Sequence, residues 1–191
     1  MRPVTRAELL DLGAYEEVRE RFRARIIALK KGRYVALGPA MTVLFENRDT
    51  ALFQVQEMIR TERITSEKAI LHELSTYNEL VPGDHELSAT IFIEYPDKNE
   101  RERMLAALAG VEDDFYLTVG DERLRVSPDQ RGTEPERTMA VQYVKFALTP
   151  AAEAALKSGG APVRLGVAHP TYRAEVALPP ETLASLRDDF G

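Results

Sequence analysis

Apolar residues in the first third of the chain recur at spacings of three and four. Tyr15, Val18, Phe22, Ile26 and Leu29 form one stripe along a helix that Gly32 stops. Before it, Thr5 is placed to cap a short helix over Arg6 to Leu12, ended by Gly13. Arg33 to Leu37 and Met41 to Glu46 are β-rich runs on either side of Gly38-Pro39, which predicts a hairpin. A helix starting at Asp49 or Thr50 turns Leu52, Val55 and Ile59 inward and runs to about Glu62. Thr65 opens another, with Ile70, Leu74, Tyr77 and Val81 as its stripe, and Pro82-Gly83-Asp84 ends it. So short a connection predicts that these two helices lie antiparallel.

From Leu87 the period changes to two. Leu87, Ala89, Ile91 and Ile93 alternate with Ser88, Thr90, Phe92 and Glu94, the mark of a strand with a buried face. Asn99 to Ala109 is an amphipathic helix. Phe115–Val119 and Glu122–Val126 flank Gly120-Asp121, a pair that tolerates the positive φ angles of a tight hairpin turn. Ser127 to Glu136 is polar and reads as a mobile surface loop. Met139 to Leu148 is a long strand, and Thr149-Pro150 begins a helix that Gly159-Gly160 ends. Val163–Val167 and Ala174–Leu178 read as strands joined through His169-Pro170, and Pro179-Pro180 leads a last helix to about Asp189. The order predicts a single α+β domain over residues 1–191, helical to about residue 83 and sheet-rich from about 84. Its expected architecture is N-terminal helices and a central antiparallel helical hairpin packed with a mostly antiparallel β-sheet.

Composition narrows the function classes. The 191 residues carry a net charge of −6 and no cysteine. The charge argues against a nucleic-acid partner, because phosphate contacts need a concentrated positive surface. Arg19, Arg21, Arg23, Arg25, Lys30, Lys31 and Arg33 do crowd one helix and its exit, but Glu16, Glu17 and Glu20 sit among them, as on a solvated, salt-bridged helix. Without cysteine the chain cannot itself hold an iron–sulfur cluster, form a disulfide or use a thiolate. No apolar run reaches membrane-spanning length and no secretory leader is evident, so the chain reads as cytoplasmic.

The candidate chemistry concentrates between Glu46 and Glu79. Glu46, Asn47, Arg48 and Asp49 lead from a strand end into a helix start, where free N–H groups favour anions; Gln56 and Arg60 share a face with Asp49. These six are the candidate ligand-binding residues, with the arginines suited to carboxylate or phosphate. The alternative at this site is a cap at Asp49 and arginines paired with neighbouring glutamates. Glu57, His72, Glu73 and Glu79 form a second candidate set, a carboxylate–imidazole group able to ligate a divalent metal if the two helices pack side by side. Against it, His72 lies near the solvent side of its helix. His85 and His169 fall in loops, and no Ser–His–Asp arrangement suggests a nucleophile elbow.

Through these same residues the chain resembles a bacterial family known as domain of unknown function 3501. The matching words are Leu44-Phe45-Glu46-Asn47-Arg48-Asp49-Thr50, Gln56-Glu57-Met58, Glu62-Arg63-Ile64, His72-Glu73 and Tyr77-Asn78-Glu79-Leu80. Glu86-Leu87-Ser88-Ala89-Thr90, Leu165-Gly166-Val167, His169-Pro170 and Tyr172 continue them. The resemblance implies no reaction. It implies an association with rubrerythrin-like and iron–sulfur oxidoreductases, hence an accessory role in redox or peroxide-stress metabolism with an oxidoreductase partner. The leading expectation is a non-enzymatic binding or accessory protein for a partner or a small anionic ligand. The rival is a small metal-dependent enzyme, and a symmetric homodimer is the default assembly.

Overall fold

The computed structural model describes residues 1–128 and 136–190. Eight strands, β1 (Tyr34–Ala36), β2 (Met41–Glu46), β3 (Glu86–Ile93), β4 (Phe115–Val119), β5 (Glu122–Pro128), β6 (Val141–Ala147), β7 (Val163–His169) and β8 (Tyr172–Ala177), form one sheet. Every pairing is antiparallel and the order is β1-β2-β3-β6-β5-β4-β7-β8. Six α-helices accompany it among the described residues: α1 (Leu12–Lys31), α2 (Arg48–Thr61), α3 (Glu67–Asn78), α4 (Lys98–Ala107), α5 (Pro150–Ser158) and α6 (Pro180–Asp188).

The sheet curls almost into a barrel. Its two ends meet where the Tyr172 hydroxyl of β8 donates to Leu37 O (2.7 Å) and accepts from Ala40 N (3.1 Å) in the β1–β2 turn. That turn needs glycine. Gly38 has φ +74, and a Cβ there would fall 2.5 Å from the Tyr172 hydroxyl oxygen. Val43, Phe45, Leu87, Ala89, Ile91, Phe115, Leu117, Phe146, Leu165 and Val167 fill the interior together with Leu105 of α4 and Leu156 of α5.

The central antiparallel helical hairpin is the expectation that this architecture overturns. The organising element is the sheet, and the β1–β2 pair from the helical half of the sequence belongs to it through β3. Helix α2 packs on α1 as well as on α3. It shares a second apolar cluster with Val4 and Leu9 of the N-terminal segment, Ile70 and Leu74 of α3, and Tyr143 of β6. An amphipathic stripe shows that a helix packs but not against what, and neighbouring stripes joined by a short turn imitate a hairpin.

Smaller corrections have local causes. Arg6–Glu8 is one 3-10 turn, and Gly13 lies inside α1 because the Asp11 side chain caps that helix by accepting from Ala14 N. Asn47 rather than Asp49 caps α2, and Ser66 caps α3. The expected polar loop at Ser127–Glu136 lies mostly outside the described residues. Arg33, read with the solvated arginines of the first helix, is wholly buried. It donates to Phe45 O, Glu46 O and Ser185, and pairs with Asp189 at 2.6 Å, fastening α6 to β2.

Candidate functional site

The density of polar residues between Glu46 and Glu79 has a structural origin. Glu46 is buried at the end of β2 and accepts from Thr50, Gln54 and Thr90. Asn47 accepts from Thr50 N and donates to Asp189 (3.2 Å), tying the start of α2 to the C-terminal helix. Gln56 uses its amide as a substitute peptide group, donating to Leu10 O and accepting from Leu10 N, each at 3.0 Å. Asn78 does the same with Val4, at 2.9 and 2.8 Å. Two side-chain amides thereby stitch an irregular N-terminal segment to α2 and α3, satisfying backbone groups that no strand reaches.

The remaining candidates are held in pairs on the surface. Asp49 faces Arg25, Arg60 donates to Glu16, and Arg48 donates to Glu8 and to Arg2 O. Glu57 faces α1, where it accepts from Tyr15 (2.7 Å) and from two nitrogens of Arg19 (2.8 Å each). His72 on α3 and Glu79 just past its end are exposed, and Glu73 is half-buried. Among the described residues no group of three or more His, Asp or Glu side chains is placed to hold a metal ion, so the expected set of Glu57, His72, Glu73 and Glu79 is not assembled.

One residue of the ligand set, Arg48, reaches a different place. A cleft of about 470 Å³ opens between the N-terminal segment, the start of α2, the loop Pro82–His85 and helix α5. Its wall is built around His85, which has φ +57, a conformation costly for a residue with a side chain. The His85 carbonyl accepts from Leu148 N (2.8 Å), which fixes the backbone where β3 and β6 begin and end. The ring then reaches the buried carboxylate of Glu153 on α5, and Nδ1 donates to Oε2. Glu153 also pairs with Lys157 one turn later (2.5 Å). With Nδ1 engaged, His85 Nε2 is the ring position left to a ligand.

The cleft's acidic side chains are mostly committed. Glu86 accepts from Gly83 N (2.7 Å) and Lys145 (3.1 Å), Glu153 serves His85 and Lys157, and Asp189 serves Arg33 and Asn47. Its cations are paired as well, but two of them stay open to water: Arg2, which faces Glu8 at 3.7 Å, is 78% exposed, and Lys157, which faces Glu153, is 46% exposed, while Arg48 is held by Glu8. No sequence signal joins His85 to Glu153, which lie 68 residues apart on a loop and a helix that the pairing of β3 with β6 brings together.

Ion pairing also sets the response to acid. His85 and Lys157 hold Glu153 below the usual carboxylate range, Arg19 does the same to Glu57, and Arg164 to Glu175. The Thr5 backbone and Arg48 lower Glu8 to about 2. Each of these folded-state values lies below the unfolded one. Their contribution is therefore complete above an unfolded value of 4.5 and is lost as pH falls from there. Asp189, raised by burial, works in the opposite sense and offsets a small part. Urea midpoints measured from pH 7 to pH 3 are expected to hold steady down to about pH 5 and then to fall. A midpoint that rises below pH 4.5 would show that these pairs do not form.

Comparison with known proteins places this geometry in a group. A family model described as "Protein of unknown function (DUF3501)" matches residues 3–190. The chain is similar to a protein of unknown function from Burkholderia pseudomallei K96243 whose crystal structure is known. The two are 40% identical with a TM-score of 0.92, over 98% of this chain and 99% of that one. No curated protein matches.

Proposed function

The chain belongs to the DUF3501 family, and from its geometry we propose that it is a non-catalytic binding protein whose ligand is a small anion seated in the His85 cleft. The observation that carries this reading is the imidazole of His85, fixed by Glu153 in a strained backbone conformation, beside Lys157, Arg48 and Arg2. Strain of this kind persists only where surrounding contacts over-determine it, and such positions cluster at ligand sites. Lys157 and the guanidiniums supply charge-assisted donors, and His85 Nε2 adds the ring nitrogen that Glu153 does not engage. The carboxylates already bonded to internal donors repel an entering anion less than free ones would. A cleft of about 470 Å³ suits a ligand of metabolite size.

Thermal denaturation with citrate and inorganic phosphate as probes tests the reading. At a hundredfold excess over Kd, binding adds about 2.7 kcal/mol. For a chain of this size that raises Tm by roughly 5–10 °C. Lys157→Ala and His85→Ala are expected to remove most of the rise while leaving the unliganded protein folded. A rise that survives both substitutions, or no rise with either anion, contradicts the reading.

A further inference from the structure

A second recess lies on the opposite half of the sheet, on the outer face of β5-β4-β7-β8. Residues that share that face follow from the register: Tyr116 stands opposite Arg125 on one side and Gly166 on the other, and Thr118 stands between Arg123 and Arg164. Arg173 of β8 is paired with Ala168 in the same ladder. The face therefore carries four arginines in a chain of net charge −6.

The centre of this face is built rather than incidental. The Tyr116 ring lies across β7, where a Cβ on residue 166 would fall 2.1 Å from the ring carbon Cζ, so the strand carries glycine at that point. The Tyr116 hydroxyl donates to Glu175 (3.0 Å), which is also held by Arg164 (2.6 Å). The Arg123 guanidinium stacks on the ring, 3.5 Å from its centroid. That contact fixes the plane of the cation while leaving its N–H edges for another partner. Arg125, two residues along the same strand face, has no ion-pair partner among the described residues. Asp113 and Asp114 border the same recess of about 530 Å³ and likewise have no cation paired to them there.

We propose that this recess is a binding site for a phosphate ester carried next to a sugar diol. Two arginines on alternate residues of a strand start from Cα atoms about 6.8 Å apart on one face, and a phosphate group has enough oxygens to accept from both guanidiniums, which a carboxylate does less well. The neighbouring aspartates are acceptors for hydroxyl groups, the role acidic residues play toward ribose in other nucleotide sites. Tyr116, with Arg123 stacked on its ring and Gly166 against its outer end, positions Arg123 and does not stack on a base. The ligand is therefore recognised through its phosphate and sugar.

Isothermal titration and amide NMR of the full chain with ribose 5-phosphate, AMP, free ribose and inorganic phosphate decide the matter. Ribose 5-phosphate is expected to bind, moving the amides of Tyr116, Arg123, Arg125 and Ala168, and to bind at least tenfold more tightly than inorganic phosphate or ribose. AMP binding equal to ribose 5-phosphate identifies a site that ignores the base; AMP binding more tightly identifies a nucleotide as the source of the sugar phosphate. Arg125→Ala should weaken binding tenfold or more, with Arg125→Lys intermediate. Asp114→Asn should reduce the preference for the sugar phosphate over phosphate alone. Gly166→Ala displaces Tyr116 and should weaken binding, whereas Tyr116→Phe retains the stack and most of the affinity. The proposal is overturned by an absence of binding, by amide shifts confined to His85 and its neighbours, or by affinity unchanged in Arg125→Ala.

Discussion

Replacing Arg33 with alanine is expected to destabilise the protein by about 3–5 kcal/mol, the largest effect of any single polar substitution considered. The guanidinium is wholly buried and its donors reach four residues. Removing it strands the carboxylate of Asp189 in a desolvated position, leaves the Phe45 and Glu46 carbonyls without their donors, and opens a cavity between β2 and α6. Deleting one member of a buried pair costs more than deleting both, because the survivor keeps its charge without compensation. Arg33→Met combined with Asp189→Leu should therefore recover part of the loss. Urea unfolding of the three proteins checks this. A single variant within about 1 kcal/mol of the parent would mean that Arg33 is not the fastening described.

The second large effect concerns Glu46. Glu46→Ala leaves the Thr90 hydroxyl and the Gln54 amide without their acceptor beneath α2 and Thr50 with only Asn47 O, a loss of about 3 kcal/mol. Pairing Glu46→Leu with Thr90→Val removes acceptor and donor together and should cost less than Glu46→Ala alone. The same double variant gives a functional readout. If Glu46 only organises the end of β2 and the start of α2, anion binding in the His85 cleft survives in the folded double variant. Were Glu46 a direct ligand, binding would vanish although the protein stays folded.

These outcomes explain what the amino-acid order could and could not reveal. Strand β3, the β4–β5 hairpin, and helices α2 and α3 were legible because their apolar periods are local. The pairing of β3 with β6 and of β4 with β7 was not, since antiparallel partners separated by intervening helices leave no periodic trace. Polar density from Glu46 to Glu79 has structural partners that no local pattern reveals. Gln56 and Asn78 resemble ligand groups in type and spacing, yet each is consumed by a backbone peptide of the N-terminal segment. Arg33 looked like one more exposed cation because its neighbours on α1 are exposed. Its partner Asp189 lies 156 residues away, beyond any helical or strand period. His85 was visible only as a loop histidine, and its meaning depends on Glu153, which the β3–β6 pairing sets beside it.

The central claim is that the anion site lies in the His85 cleft and not on the exposed faces of α2 and α3. A two-dimensional amide NMR titration with citrate tests it most directly. The account predicts saturable shifts at Gly83, His85, Glu86 and Lys157, with Arg60, His72 and Glu73 unmoved. Shifts centred on Arg60 and His72, with the loop before β3 silent, would contradict it.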